Sequence, residues 1–314
     1  MFQLYRKRTF SDYLNDTFSF LKLTGKHYFK NYTILCGGLL LILTILAYIL
    51  GKAYMAFIFG SITNQSFKIE ELFGGNIALF VGILFFFFIV IIIFSFLSYL
   101  YPMVYLRLYD EYGHAEFETK VIGDRLKADI GRTVKFTFLT ILLTFTVGLL
   151  LVAMMIILFI TVIGIPFVFI GIYALIGVYN IAFFLYVNDR NTGFVESFKT
   201  AFEFVKNNLW PVVGSNFAMS MLVQIVGSVF TFIPLIIGMI SLFTSLEGSS
   251  GGLPETAGFA IAMGITMAVS ILVTYFLHNL IILNNGMIYY TMQETNNSHS
   301  SKSEIDLIGT ESES

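Results

Sequence analysis

The chain has 314 residues, of which 57% are hydrophobic and 12% charged, with a formal net charge of −2; soluble domains carry about 25% charged residues. Such a composition excludes a freely soluble domain; the net charge says little, because the acidic Ser/Glu tail conceals a basic inner surface, and with no RNA-reading motif present nucleic-acid binding has no support. The one cysteine, Cys36, excludes an intramolecular disulfide and leaves the redox compartment undetermined.

The apolar residues are gathered into blocks long enough to cross a bilayer, for which about 20 helical residues suffice. Six such blocks are read, at 32–59, 77–106, 136–163, 166–187, 212–246 and 259–291. The expected fold is therefore all-α, a polytopic membrane helical bundle of six transmembrane helices. Sixteen of the eighteen lysines and arginines fall before the first span, between spans two and three, between spans four and five, or in the tail, leaving only Lys52 and Lys68 for the other side. Positive charge marks the cytoplasmic side, so both termini are expected there. The domains expected are a cytoplasmic amphipathic segment 1–31, a six-span domain 32–291 with inner segments 107–135 and 188–211, and a disordered cytoplasmic tail 292–314.

Residues 1–31 lack the short apolar core of a cleavable signal peptide, so the first span itself is expected to direct insertion. Within them Thr9 or Ser11 is the expected helix cap, and Phe10, Leu14, Thr17, Phe18 and Leu21 form an apolar stripe. Gly25 is expected to interrupt this helix before the mixed aromatic and lysine stretch 27–32, which suits the headgroup zone. Span one leads to a sixteen-residue outer loop, 61–76. Lys52 is the only charge inside any span, and its long stem would let it snorkel outward. Span two returns through a phenylalanine and isoleucine run and carries Pro102, an expected kink.

The inner segment 108–135 is the most charged part of the chain. Spans three and four form a hairpin whose turn is expected at Gly164-Ile165-Pro166, with no charge from Phe136 to Val187. Gly148, Ala153, Gly171, Ala174 and Gly177 are small residues that permit close helix approach.

An organising segment follows at 192–211. Its residues Phe194, Phe198, Ala201, Phe202, Val205 and Leu209 keep the spacing of one helical stripe, opposite Glu196, Lys199, Glu203 and Lys206. Thr192 is the expected cap and Pro211 the expected stop. At a shift of 184, Phe10, Asp12, Leu14, Phe18, Phe20, Leu21 and Lys22 match Phe194, Glu196, Phe198, Phe202, Phe204, Val205 and Lys206. At a shift of 72, Ile122, Asp124, Leu126, Lys127 and Ile130 match Phe194, Glu196, Phe198, Lys199 and Phe202. These matches point to an internal repeat of three units, each an inner in-plane amphipathic helix followed by a two-span hairpin.

Span five carries Gly214, Ser215, Ala218, Gly227, Ser228 and Pro234, and span six a small-residue stripe of Ala260, Gly264 and Ala268, a helix contact by expectation. Disorder is expected from Gln293 onward, where apolar residues become scarce.

The phrase F-x-E-S-F-x-x-A-F-x-F-V-K-N-N-L-W-P at 194–211 entering a span, together with the six-span layout, resembles the family of six-helix membrane domains. That family is found fused to some bacterial glycerophosphodiester phosphodiesterases and also standing alone. The resemblance covers residues 5–291 and implies the fold and a place in the bacterial cytoplasmic (inner) membrane. It implies no catalytic residue and no cofactor, because the fused phosphodiesterase is a separate barrel of roughly 200 residues or more.

Four histidines, His27, His114, His278 and His299, are spread along the chain. There is no His-x-x-x-His, no cysteine pair and no carboxylate inside a span, so an iron oxygenase or metal hydrolase has no visible ligand set. The polar cluster of span six is the candidate site: His278, Asn279 and Asn285, with Asn284 beside them and Asn180 in span four. Intramembrane polar residues face a bundle interior or a cavity, so this cluster is either a pocket for a lipid headgroup or a set of interhelical hydrogen bonds that also draws on Asn216 or Gln224. The leading expectation is a non-enzymatic bundle that contacts membrane lipids or scaffolds a membrane-protein partner or a second copy of itself. A small-solute or lipid transporter is the alternative, and a membrane-embedded enzyme such as a carotenoid oxygenase is the least supported.

Overall fold

The computed structural model describes residues 2–62, 76–161, 164–248 and 257–297. Among the described residues every regular element is a helix: α1 Phe10–Ile62, α2 Ile77–Tyr112, α3 Thr119–Ile160, α4 Gly164–Asn188, α5 Phe194–Asn207, α6 Leu209–Gly248 and α7 Ala257–Asn297. Six of these, all but α5, are long and apolar enough to cross a membrane, and the chain is an all-α, multi-pass membrane protein.

The start of α1 is set by Thr9, whose carbonyl accepts the Tyr13 N–H at 3.2 Å. The backbone N–H and hydroxyl of Thr9 both donate to the Asp12 carboxylate, at 2.9 and 2.7 Å, so Asp12 reaches back to the free N–H at the start of the helix. Gly25 does not interrupt the helix. A glycine in a helix costs about 1 kcal/mol, whereas Phe20 and Tyr28 on either side are wholly buried, and burying such a ring is worth several times more.

The second copy differs in being a separate helix. Asn208 ends α5, its N–H donating to the Phe204 and Val205 carbonyls, and Pro211 lies in the first turn of α6 rather than acting as the stop. Proline is tolerated in a first turn but cannot continue a helix from behind. At the shift of 184 the residue matching Pro211 is His27, which has an N–H to give, so α1 runs on into its span. The first copy is thus not an in-plane helix of its own. Thr192 is likewise not the cap of α5: Gly193 holds that position, and the Thr192 hydroxyl donates to Asp189 at 2.5 Å.

Two smaller expectations also shift. The third span ends at Ile160, and Gly164 and Pro166, expected in the turn, lie inside α4. The α7 helix continues to Asn297, five residues beyond the expected start of the tail. Of the expected outer loop 61–76, the first two residues belong to α1 and residues 63–75 lie outside the described residues, as do the tail from 298 and the side chain of Lys52.

The chain divides into two compact units. The first comprises residues 1–32, 99–221 and 279–314, and within it α2 from Leu100 to Leu106 and α4 from Asn180 to Val187 are buried on all sides. Around them pack the buried residues Tyr13, Thr17, Phe20, Thr24 and Tyr28 of α1, a stripe one helical turn apart. Phe136 of α3 is an aromatic hub, 5.5 Å from Phe194 and stacked at 5.7 Å on Phe198, and it anchors α5. The second unit, residues 33–98 and 222–278, joins α1 to α7 at small residues. A Cβ on Gly264 would stand 2.8 Å from the Tyr48 ring, and one on Gly51 would stand 2.7 Å from Met267. The expected small-residue contact of span six is therefore realised at Gly264.

The packed face of each amphipathic copy is rotated from the stripe that spacing alone suggests. Tyr13, Thr17 and Phe20 are buried, as are their matches Ser197, Ala201 and Phe204, while Phe18 and Phe202 both point outward. Two apolar environments exist for a membrane protein, the interior and the lipid, and small or hydrogen-bonding residues take the helix contacts. Phe18 and Phe202 then find their apolar surroundings on the lipid side, while Phe20 and Phe204 keep theirs in the interior.

Candidate functional site

Of the residues singled out above, Asn279, Asn285 and Asn180 belong to the first unit, and each meets a different hydrogen-bond partner. Tyr28 of α1 donates its hydroxyl to the Asn279 side-chain carbonyl at 2.6 Å, and the Tyr28 backbone carbonyl accepts the Tyr101 hydroxyl at 2.6 Å. Asn180 accepts the Tyr99 hydroxyl at 2.5 Å and donates to the Ile176 carbonyl at 2.8 Å. Asn285 donates to the Ile281 carbonyl of its own helix at 2.9 Å. His278 belongs to the second unit, is half-buried, and makes no hydrogen bond with the described residues. Asn279 and Asn180 are thus interhelical ties, and Asn284 is another: its carbonyl accepts the Ser215 hydroxyl at 2.9 Å. Asn216 reaches the Tyr173 carbonyl at 3.4 Å. Asn216 Oδ1, Asn284 Nδ2 and Asn285 Oδ1 are buried without a partner.

The charged residues at this end lock elements together. Arg8, its side chain fully buried, donates to Asp16 at 2.7 Å, to the Leu4 carbonyl at 2.8 Å and to Thr291 of α7 at 3.2 Å. Burial presses the Arg8 guanidinium below its ordinary value, and the hydrogen bond and charge of Asp16 oppose this. Tyr5 donates to Asp110 at 2.8 Å, and burial, reinforced by that bond, holds its phenol well above the ordinary value. Arg107 pairs with Asp129. Arg132 lies 4.4 Å over the Tyr186 ring and donates to the carbonyls of Tyr186, Asp189 and Arg190, closing the C-terminal end of α4, where a cation meets the negative end of the helix dipole.

A different set of lysines is left without counter-charge. The five ion pairs among the described residues use Arg6, Arg8, Arg107 and Arg125. Lys22, Lys26 and Lys30, one turn apart on α1, and Lys199 and Lys206 on α5, are exposed and enter none of them. On α5 these lysines share an outward face with Val195, 77% exposed, and Phe202, 60% exposed; Trp210, just past the break, is 69% exposed. An exposed face that mixes lysines with large apolar side chains suits the boundary between headgroups and acyl chains. Spacing placed the lysines of α5 correctly on the open side but put Phe202 on the packed one; its match with Phe18, which is exposed as well, is visible only with the burial in hand.

Two large apolar hollows are present. One, of about 530 Å³ in the second unit, is lined by Ala47, Leu50, Phe80, Leu84 and Met267 among others. The other, of about 580 Å³ in the first unit, lies between α4 and α6. None of His278, Asn279, Asn285 and Asn180 lines either. Among the described residues no three histidine, cysteine or acidic side chains come together in a way that could hold a metal ion.

Comparison of the chain with protein-family models, with curated proteins and with solved structures finds no match in any of the three.

Proposed function

We propose that this chain is a non-enzymatic lipid-contacting protein of the bacterial cytoplasmic membrane, with both termini on the cytoplasmic side. The observation that carries the reading is the set of unpaired, exposed lysines on α1 and α5 interleaved with outward-facing Val195, Phe202 and the neighbouring Trp210. The first unit, moreover, contains every lysine and arginine of the chain except Lys52 and Lys68, which supports a single basic side turned to the cytoplasm. The lipid class this favours is anionic phospholipid, since each lysine near such a surface contributes about 1 kcal/mol. The resemblance to the six-helix membrane-domain family accords with the reading, as does the repeated pattern of buried and exposed residues at the shift of 184. Any partner protein or second copy would dock through the same lipid-bathed faces.

The test is thermal unfolding in nanodiscs of phosphatidylglycerol and of phosphatidylcholine. The anionic discs should raise the unfolding temperature, and Lys22→Gln/Lys26→Gln/Lys30→Gln should remove most of the difference. Equal unfolding temperatures in the two lipids would contradict the reading.

A further inference from the structure

The groove between α4 and α6 has a shape and a position that the exposed lysines alone do not explain. Its walls are Ile165, Phe169 and Tyr173, four residues apart along α4, and Val213, Phe217 and Met221 along α6. Tyr173 and Phe217, one from each wall, meet edge to face with ring centres 5.3 Å apart. Gly214 lines it as well, and a Cβ there would stand 3.0 Å from the Phe10 ring; glycine is what lets the start of α1 close in beside the groove. Trp210 stands at one end, and from Trp210 to Met221 the helix rises about 16 Å.

Both walls belong to membrane-spanning helices, Gly164–Asn188 and Leu209–Ile233, and Phe169, Phe217 and Met221 are each between 41% and 49% exposed. The groove therefore opens sideways into hydrocarbon, where no water competes for it. Its length is close to half of a hydrocarbon core of about 30 Å, the depth of one leaflet. Tryptophan marks the headgroup level, and Lys206, exposed and unpaired, precedes Trp210 by four residues. We infer that this groove holds one acyl chain of a phospholipid from the leaflet at the basic side, with the chain lying along α6 from Trp210 to Met221 and the phosphate within reach of Lys206. This rests on the lipid-contacting reading above and names where a lipid is held and by which part.

Trp210 is the only tryptophan in the chain, so its fluorescence reports on the groove alone. The full-length protein in dodecyl maltoside is titrated with phosphatidylglycerol carrying brominated acyl chains, which quench a tryptophan they touch. The expected result is saturable quenching, reversed by an excess of dioleoyl-phosphatidylglycerol and not by dihexanoyl-phosphatidylglycerol, whose chains are too short to fill the groove. Ile170 lines the groove beside Phe169, and narrowing it with Ile170→Phe/Met221→Phe should raise the lipid needed for half-quenching by about fivefold or more while the helical circular dichroism stays unchanged. Should that variant unfold, the long-chain against short-chain comparison on the natural protein still decides. Reversal by the dihexanoyl lipid as readily as by the dioleoyl lipid would leave headgroup binding standing and overturn the groove. An absence of quenching in a protein that nanodiscs show to prefer anionic lipid would do the same, and an absence of both effects would overturn the groove together with the reading it rests on.

Discussion

Tyr28 donates to Asn279 at 2.6 Å while its own carbonyl accepts from Tyr101, so one residue of α1 ties α2 and α7 through both its side chain and its backbone. Removing the hydroxyl in Tyr28→Phe should destabilise the protein by about 0.6 to 1.7 kcal/mol, the range for side-chain hydrogen bonds between membrane helices. Combined with Asn279→Leu in a double-mutant cycle followed by unfolding in detergent, the two changes should be less than additive.

The buried ion pair of Arg8 and Asp16 predicts a larger effect. Arg8→Ala leaves Asp16, with only 12% of its side chain exposed, to the more distant Arg6 at 3.5 Å, so the loss should approach but not reach the about 3 to 5 kcal/mol of a buried charge left wholly unpaired. Replacing both by apolar residues, in Arg8→Met/Asp16→Leu, should recover much of this loss in the same thermal-unfolding measurement.

The two copies of the amphipathic segment differ at His27 and Pro211, and exchange should show it. His27→Pro places a proline inside α1 and removes the contacts of His27 with Tyr105 and Phe117, for a loss of about 3 kcal/mol or more. Pro211→His changes a first-turn position where proline's rigidity is the only gain, worth about 0.4 to 1 kcal/mol. A spin-label pair on α5 and α6 should report a changed interhelical angle in Pro211→His if the proline holds the break at Asn208.

Glycines on the spans separate into those that carry a contact and those that do not. Gly264→Ala would drive a methyl group into the Tyr48 ring and backbone carbonyl, and overpacking of this kind costs about 1 to 3 kcal/mol. Gly171 has nothing within 4 Å of its Cβ position, so Gly171→Ala should be neutral or stabilise by up to about 1 kcal/mol.

Hydrogen bonds from Thr192 and from the Asn191 N–H hold the Asp189 carboxyl below its ordinary value, with Arg132 adding to the effect. A depressed folded value means that the contribution to stability is complete above the ordinary carboxylate range, near pH 4, and is lost as pH falls through the lower folded value. Asp189 is exposed, so the change in stability is small. Its carboxyl resonance in a nuclear magnetic resonance titration should nevertheless move back toward the ordinary value in Thr192→Val.

Much of this fold was legible because lipid imposes a simple rule: a spanning helix must be long and apolar, and six blocks of the chain are. Side-chain direction was far less so. Hydrophobic periodicity assumes that apolar means inward, which gave the wrong face for Phe18 and Phe202, because here the outside is apolar too. The candidate polar pocket followed from clustering along α7, yet Asn279 and Asn285 lie six residues apart on one helix and meet different neighbours, one on α1 and one on its own backbone. Burial of Arg8 had no sequence signal at all, since its partners Asp16 and Thr291 are respectively eight residues away and at the far end of the chain.

The most direct measurement is native mass spectrometry of the protein extracted gently from its own membrane. The account predicts retained anionic phospholipid, at a reduced level when Lys22, Lys26, Lys30 and Lys206 are changed to glutamine. A chain that emerges free of lipid, or that retains lipid without regard to headgroup charge or to those lysines, would contradict it.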